Sequence, residues 1–268
     1  MRVSRGARIG LRTVALGYLT LLLALPVGFV FYKTFEKGLG AVWDALTTPN
    51  AIQALELTLL MVAVAVPLNT AFGVLAALVI VRGRMRGRAL LNALIDLPFA
   101  ISPVVVGLAL YLLYGRQGWF GSWFLDQGIQ IIFSTPGMIL ATVFVSLPFV
   151  VREVIPVLRE IGTSQEEAAA TLGASPRQTF WRITLPAIRW GVLYGVVLTT
   201  ARALGEFGAV SVVSGKILGE TDTLPLYVEQ RFQAFDLTGA YAASALLAAI
   251  ALATLLLMTK LQPKEART

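Results

Sequence analysis

The sequence predicts an all-α, polytopic membrane protein with six transmembrane helices, and three observations carry that prediction. Of its 268 residues, 57% are hydrophobic and only 14% charged, and the mean hydropathy is +0.76, whereas soluble domains carry about 25% charged residues. The apolar residues fall in blocks long enough to cross a hydrocarbon layer of roughly 30 Å, which takes about 20 helical residues. Lysine and arginine alternate between rich and poor connecting segments, as the positive-inside rule requires of a multi-pass chain.

The first block, Val14 to Phe35, is long and lacks a small-residue cleavage site, so it reads as a retained span rather than a removed signal peptide. Leu57 to Val81 and Ala89 to Tyr114 supply the second and third. The fourth, Gly137 to Val151, has a clean run of 15 residues and reaches spanning length only by recruiting Ile131 to Pro136 or Arg152 to Leu158, so a five-helix reading stands beside the six-helix one. Trp190 to Ser214 and Tyr241 to Thr259 complete the set. Neither repeats nor low-complexity tracts divide the chain.

Charge chooses between the two readings. Sixteen of the 22 cationic residues lie before the first helix (Arg2, Arg5, Arg8, Arg12), between two and three (Arg82, Arg84, Arg86, Arg88), between four and five (Arg152, Arg159, Arg177, Arg182, Arg189) and after six (Lys260, Lys264, Arg267). The alternate segments hold Lys33, Lys37, Arg116, Lys216 and Arg231. Six crossings put all the rich segments on one side, so both termini are expected in the cytoplasm; five would place the arginines after Val151 on the wrong side. The net charge of +7 thus reports topology and affinity for anionic lipid, not nucleic-acid binding.

Absences exclude whole classes of chemistry. With neither cysteine nor histidine, disulfides, thiolate nucleophiles, imidazole bases and histidine or cysteine metal sites are ruled out. No GxxxxGK[ST] occurs: Gly215-Lys216 is followed by Ile217 and has Val210 where the leading glycine belongs. An intramembrane hydrolase would need a serine with a lysine, paired aspartates or a metal cluster. A self-sufficient secondary carrier would be expected to show inverted repeats and more buried carboxylates. Neither pattern is present.

Between the fourth and fifth blocks lies the segment with the strongest helical punctuation. Ser164 with Glu167 three residues on forms a capping box, the helix runs through Ala168, Ala169 and Ala170, and Gly173 stops it. Ser175, Pro176 and Gln178 then open a second short helix toward Ile183, ending before Pro186. A rigid elbow that a partner can push is one reading; an ordinary cap followed by an interfacial anchor of Phe180, Trp181 and Ile183 is the other.

The string Glu167-Ala168-Ala169, three residues, Gly173, nine residues, Ile183, one residue, Leu185-Pro186 resembles the signature loop of binding-protein-dependent ABC importer permeases at its full spacing. Asp96-Leu97-Pro98-Phe99 with Ser102-Pro103-Val104-Val105, and Arg202 through Gly215, resemble the sulfate and molybdate importer permeases, most of all the W-type permease subunit of sulfate/thiosulfate transporters. The resemblance covers the chain from about the second helix to the sixth. It implies a type I ABC importer permease fold, one permease domain over residues 1–268 and a cytoplasmic coupling loop over 163–186. Glu167, Ala168, Ala169, Gly173, Ile183, Leu185 and Pro186 are then the ATPase-coupling residues. It further implies a second permease subunit (a related chain or a copy), two cytoplasmic ATPase subunits that carry ATP and Mg, and a periplasmic sulfate/thiosulfate-binding protein. The chain itself would bind no cofactor and would sit in a bacterial inner membrane. Molybdate or tungstate remains the alternative cargo.

Ionisable groups at mid-membrane cost at least ~2.5–3.5 kcal/mol, so Asp96, Arg202 and Glu206 are functional candidates that need partners. In the fifth helix, Thr199, Arg202, Glu206 and Ser214 advance by three, four and eight positions and share a face turned away from lipid. Arg202 and Glu206 can pair at i and i+4, in the weaker order for a helical ion pair. Either they lock the helix to a neighbour through Asp96 or Asn69, or Arg202 offers positive potential to a passing oxyanion with Thr199 and Ser214 as neutral donors. Pro98 and Pro103 flank Ser102, where a break would expose backbone groups to a cavity, or a kink would merely aid packing. Gly191 and Gly195 form a weak GxxxG, and Trp119, Phe120, Trp123 and Phe124 form an aromatic cluster expected at the outer interface or under a docked protein.

Overall fold

The computed structural model describes residues 5–83 and 86–261; Arg2, Arg84, Lys264 and Arg267 of the charge count lie outside the described residues. The first span joins α1 (Arg5–Leu19) to α2 (Leu25–Phe35) through a π turn, Thr20–Ala24. That widened turn immediately precedes Pro26, which has no N–H to donate and whose ring would crowd a regular turn. A short helix, α3 (Gly38–Leu46), leads to α4 (Pro49–Val81), whose start is fixed by Thr48 accepting from the Ala51 N–H at 3.3 Å and by proline at the first helical position.

Five described helices are long and apolar enough to span, and a bent pair makes six if it counts as one span. The straight third helix expected from Ala89 to Tyr114 is instead α5 (Arg88–Ala100) and α6 (Pro103–Tyr114), turned 111° apart. Ser102 is extended because the residue before a proline is driven out of the helical region, and Ile101 before it is extended as well. After α7 (Gly121–Asp126), α8 (Thr135–Ser146) and α9 (Pro148–Ile161) run as one span of 27 residues, so the fourth crossing recruits residues on both flanks of its clean run. Arg152 and Arg159 therefore lie on a spanning helix, not in the following loop.

The loop proper holds α10 (Ser164–Thr171), and α11 (Pro176–Thr179) already begins the fifth span. The expected stop before Pro186 does not occur: a second π turn, Phe180–Thr184, lets the Leu185 N–H reach the Phe180 carbonyl, and the chain continues as α12 (Leu185–Leu204). The fifth helix does not extend to Ser214. It ends at Leu204, and after Gly205–Phe207 the chain resumes as α13 (Gly208–Val213). α14 (Leu224–Gln233) and the last span, α15 (Leu237–Leu261), complete the order.

Spans two, four and five form the centre. Val74, Ala77, Val150, Val151, Val154, Leu158 and Ile188 make one buried cluster near the arginine-rich end. Met61, Val106, Met138, Ala141, Val145, Ala209 and Val210 make a second around α6, α8 and α13. Between lipid-like surfaces the hydrophobic effect does not drive helices together, so close approach through small residues supplies the dispersion contacts. Gly191 and Gly195 do this where α12 crosses α9, and Gly73 does it where α4 crosses α9.

Candidate functional site: a hinged loop and two facing breaks

At the arginine-rich end, α10 begins at Ser164 with Thr163, not Ser164, in the capping position. The Thr163 hydroxyl donates to Glu167 Oε1 at 2.6 Å, so the expected box of Ser164 and Glu167 is replaced by a link one residue earlier. The helix closes in a Schellman motif: the Gly173 N–H donates to the Ala170 carbonyl and the Ala174 N–H to the Ala169 carbonyl, both at 3.0 Å. Gly173 takes φ +81°, which only glycine adopts without strain. The second capping box forms as expected, with the Gln178 N–H donating to Ser175 Oγ and the Ser175 N–H donating to Gln178 Oε1.

Glu167, Ala168, Gly173 and Pro186 are exposed, Ala169 is buried, and Ile183 and Leu185 are half-buried. Leu172, at the tip, is 88% exposed. Sequence reasoning missed Glu166, whose carboxylate is bound by Arg82 Nε at 3.0 Å and by the Thr184 hydroxyl at 2.9 Å.

Deeper in the chain, the two interrupted spans meet. A Cβ on Gly208 would lie 2.9 Å from the Cβ of Pro103, and one on Gly107 would lie 2.6 Å from the Ala209 carbonyl oxygen, so α6 and α13 touch backbone to backbone. Glu206 stands in the second break with its side chain 1% exposed; it accepts from the Ala209 N–H at 2.9 Å and pairs with Arg202 Nη1 at 2.6 Å. A carboxylate beside the amide end of α13 satisfies donors that would otherwise be orphaned in the bilayer. Arg202 keeps 29% of its side chain exposed.

The single face expected for Thr199, Arg202, Glu206 and Ser214 is not formed, because the helix ends between Arg202 and Glu206. Thr199 is buried with its hydroxyl unpartnered, and Ser214 is buried with its Oγ accepting from the Lys216 N–H at 3.1 Å, a turn contact. Neither Asp96 nor Asn69 meets the Arg202–Glu206 pair. Asp96 receives both Nε and Nη2 of Arg152, and Asn69 donates to the Val143 carbonyl and to Ser146 Oγ. Ser102 is exposed at the elbow of α5 and α6, and beside the second break an open groove of about 460 Å³ runs between α12, α14 and α15. At the opposite end Trp119 is 84% exposed, whereas Phe124 packs into the core with Tyr114.

Comparison with known proteins places this geometry. The family model described as "Binding-protein-dependent transport system inner membrane component" matches residues 69–267. The sulfate transport system permease protein CysW of Synechocystis sp. is 56% identical over 251 residues, covering 94% of this chain and 91% of its own. That of Escherichia coli (strain K12) is 50% identical, covering 90% and 83%. The sulfate transport system permease protein CysT of the same strain is 38% identical, covering 99% and 95%. Among solved structures, a bacterial ABC transporter involved in the import of the acidic polysaccharide alginate superposes with a TM-score of 0.77 at 18% identity, over 94% of this chain and 93% of that one, and so shares the type I importer fold. A signature loop that folds as helix, glycine turn and helix, on a bundle of this topology and ancestry, belongs to a transport subunit: the chain is a member of the binding-protein-dependent transport system inner membrane components, the permeases of ABC importers.

Proposed function

We propose that this chain is one half of the membrane channel of an ATP-driven sulfate/thiosulfate importer, with its arginine-rich end and both termini in the cytoplasm. The observation that carries the reading is the hinged α10 elbow, with Leu172 at its tip, on a chain whose relatives at 50–56% identity are sulfate permeases. A nucleotide-binding loop is missing from the sequence, so two separate ATPase subunits, holding ATP and Mg, would supply the energy by closing against Glu167, Ala168, Ala169 and Gly173.

Ser102 and Phe207 at the two breaks are exposed, and a second permease subunit, related to the CysT relatives or a copy of this chain, would supply the facing wall. Sulfate delivered by a periplasmic binding protein would meet Arg202, whose charge is already balanced by Glu206. A fixed, unpaired arginine would hold a dianion too tightly for turnover, whereas a paired one offers transit-level attraction.

Labelled sulfate uptake in the source cells, with and without this chain, tests the reading when challenged by excess thiosulfate and excess molybdate. Uptake lost on deletion, and competed in intact cells by thiosulfate far better than by molybdate, is the expected result. Unchanged sulfate uptake with impaired molybdenum supply would move the cargo to molybdate or tungstate and leave the permease assignment standing.

A further inference from the structure

α10, the helix read above as docking on the ATPase, is bounded at each end by a glycine at positive φ. Gly162, which closes α9, has φ +61° and ψ −162°, a region open to glycine alone, and Gly173 at the far end of α10 has φ +81°. A helix between two such joints transmits a push only if something else ties it to the bundle. Glu167 does not, because its Oε1 is taken by Thr163 in its own turn. Among α10 residues only Ala169 is buried, and a methyl group gives little purchase.

Glu166 supplies the tie, and its carboxylate is gripped from two sides. Oε2 accepts from Nε of Arg82 at 3.0 Å, and Oε1 accepts from the buried Thr184 hydroxyl at 2.9 Å. Arg82 is the residue that ends α4, its own N–H donating to the Leu78 carbonyl at 2.8 Å, and its Nη2 also donates to the Gly162 carbonyl at the end of α9. Thr184 lies in the π turn at the base of α12. One carboxylate and one guanidinium therefore join the ends of spans two, four and five at the point where the loop leaves the bundle. Both side chains are about four-fifths buried, at 18% and 21% exposure, so salt screens the pair less than it would a surface pair.

We propose that Glu166 is the positioning residue for energy coupling: with Arg82 and Thr184 it latches the hinged α10 to spans two, four and five, so that displacement of the loop reaches the bundle instead of being absorbed at Gly162 and Gly173. The proposal rests on the reading of α10 as the element that docks on the ATPase. Charge-assisted bonds of this kind carry the geometry of a junction as well as its energy.

The test uses the whole complex, with its ATPase, partner permease and binding protein, in proteoliposomes, and reads sulfate transported per ATP hydrolysed. Glu166→Gln should leave ATP hydrolysis running while that ratio falls about 3–10-fold. The exchange Arg82→Glu with Glu166→Arg should recover much of it. Thr184→Val, which removes one bond and keeps the shape, should lower the ratio less, and it decides the matter if Glu166→Gln fails to assemble. An unchanged ratio, or uptake and hydrolysis falling in strict proportion, would overturn the latch. Because the chain has no cysteine, Leu172→Cys gives a single site for a cysteine-to-lysine cross-linker. Cross-linking to the ATPase with an unchanged ratio removes the latch alone, whereas absence of cross-linking in an active complex removes the docking reading on which it rests.

Discussion

A Cβ placed on Gly195 would stand 2.6 Å from the Cα of Val150, and one placed on Gly73 would stand 2.6 Å from the Cβ of the same valine. Val150 is thus a knob held between two glycines, on α12 from one side and α4 from the other. The two contacts are not equivalent. At Gly195 the obstacle is backbone, so Gly195→Ala must push α9 and α12 apart; at Gly73 it is a side chain. Gly195→Ala should destabilise the purified subunit by about 1–3 kcal/mol, the usual range for overpacking. Val150→Ala removes the Cγ1 at 2.7 Å from a Cβ on Gly73 but keeps the Cβ at 2.6 Å, so it should relieve little of either glycine variant, whereas Val150→Gly should relieve more of Gly73→Ala than of Gly195→Ala, as read from thermal unfolding in detergent.

Gly173 poses the opposite case, since nothing lies within 4 Å of an added Cβ. Only its φ of +81° restrains it, and a left-handed residue other than glycine costs roughly 1–2 kcal/mol. Gly173→Val should therefore insert and fold, yet lose transport if, as proposed, the Schellman turn aims α10 at an ATPase subunit. Gly173→Asn, which tolerates the left-handed region, should retain a substantial part of it. Normal uptake by the valine variant would count against the coupling role.

Arg202 and Glu206 can be separated by a double-mutant cycle. Arg202→Ala leaves a buried carboxylate with only the Ala209 N–H, and an unsatisfied buried acceptor costs about 1–3 kcal/mol, more when charged. Arg202→Ala with Glu206→Gln removes the uncompensated charge and should restore much of the stability. If the double variant is stable but hydrolyses ATP without importing sulfate, the arginine acts on the pathway; full transport would make it a lock only.

The six apolar blocks were legible because spanning length and arginine placement are properties of composition. The stop at Gly173 and the Ser175–Gln178 box were legible because caps are local rules. The end of α12 was not: Gly205-Glu206-Phe207-Gly208 sits in an otherwise continuous apolar string, and extending helical periodicity through it placed Ser214 beside Thr199. Two glycines around a carboxylate were the available signal, since glycine weakens a helix and a charge there needs a partner. The elbow at Ser102 was half legible, because prolines at 98 and 103 allow a break without fixing its 111° angle. Glu166 was invisible for a different reason. Local rules single out Glu167 as the capping partner, and Arg82 lies 84 positions away.

Asp222 carries the last prediction, for pH. It lies between α13 and α14, is 1% exposed, and accepts from Gln230 Nε2 at 3.2 Å through Oδ1 while Oδ2 has no partner. Burial pushes its carboxyl up from 3.8 to about 7, Arg231 and Lys216 opposing the rise and Glu229 adding to it. The folded state therefore holds this proton more tightly than the unfolded chain does. Between 3.8 and about 7 the folded state binds more protons, so this residue's contribution to stability is full below the lower value and is lost as pH rises through the upper one. Asp222→Asn should abolish that pH dependence and make the subunit more stable than the parent at pH near 8. Thermal unfolding of parent and variant across that range measures it; parallel curves would mean that Asp222 is already ionised in the fold, held by Arg231 and Lys216.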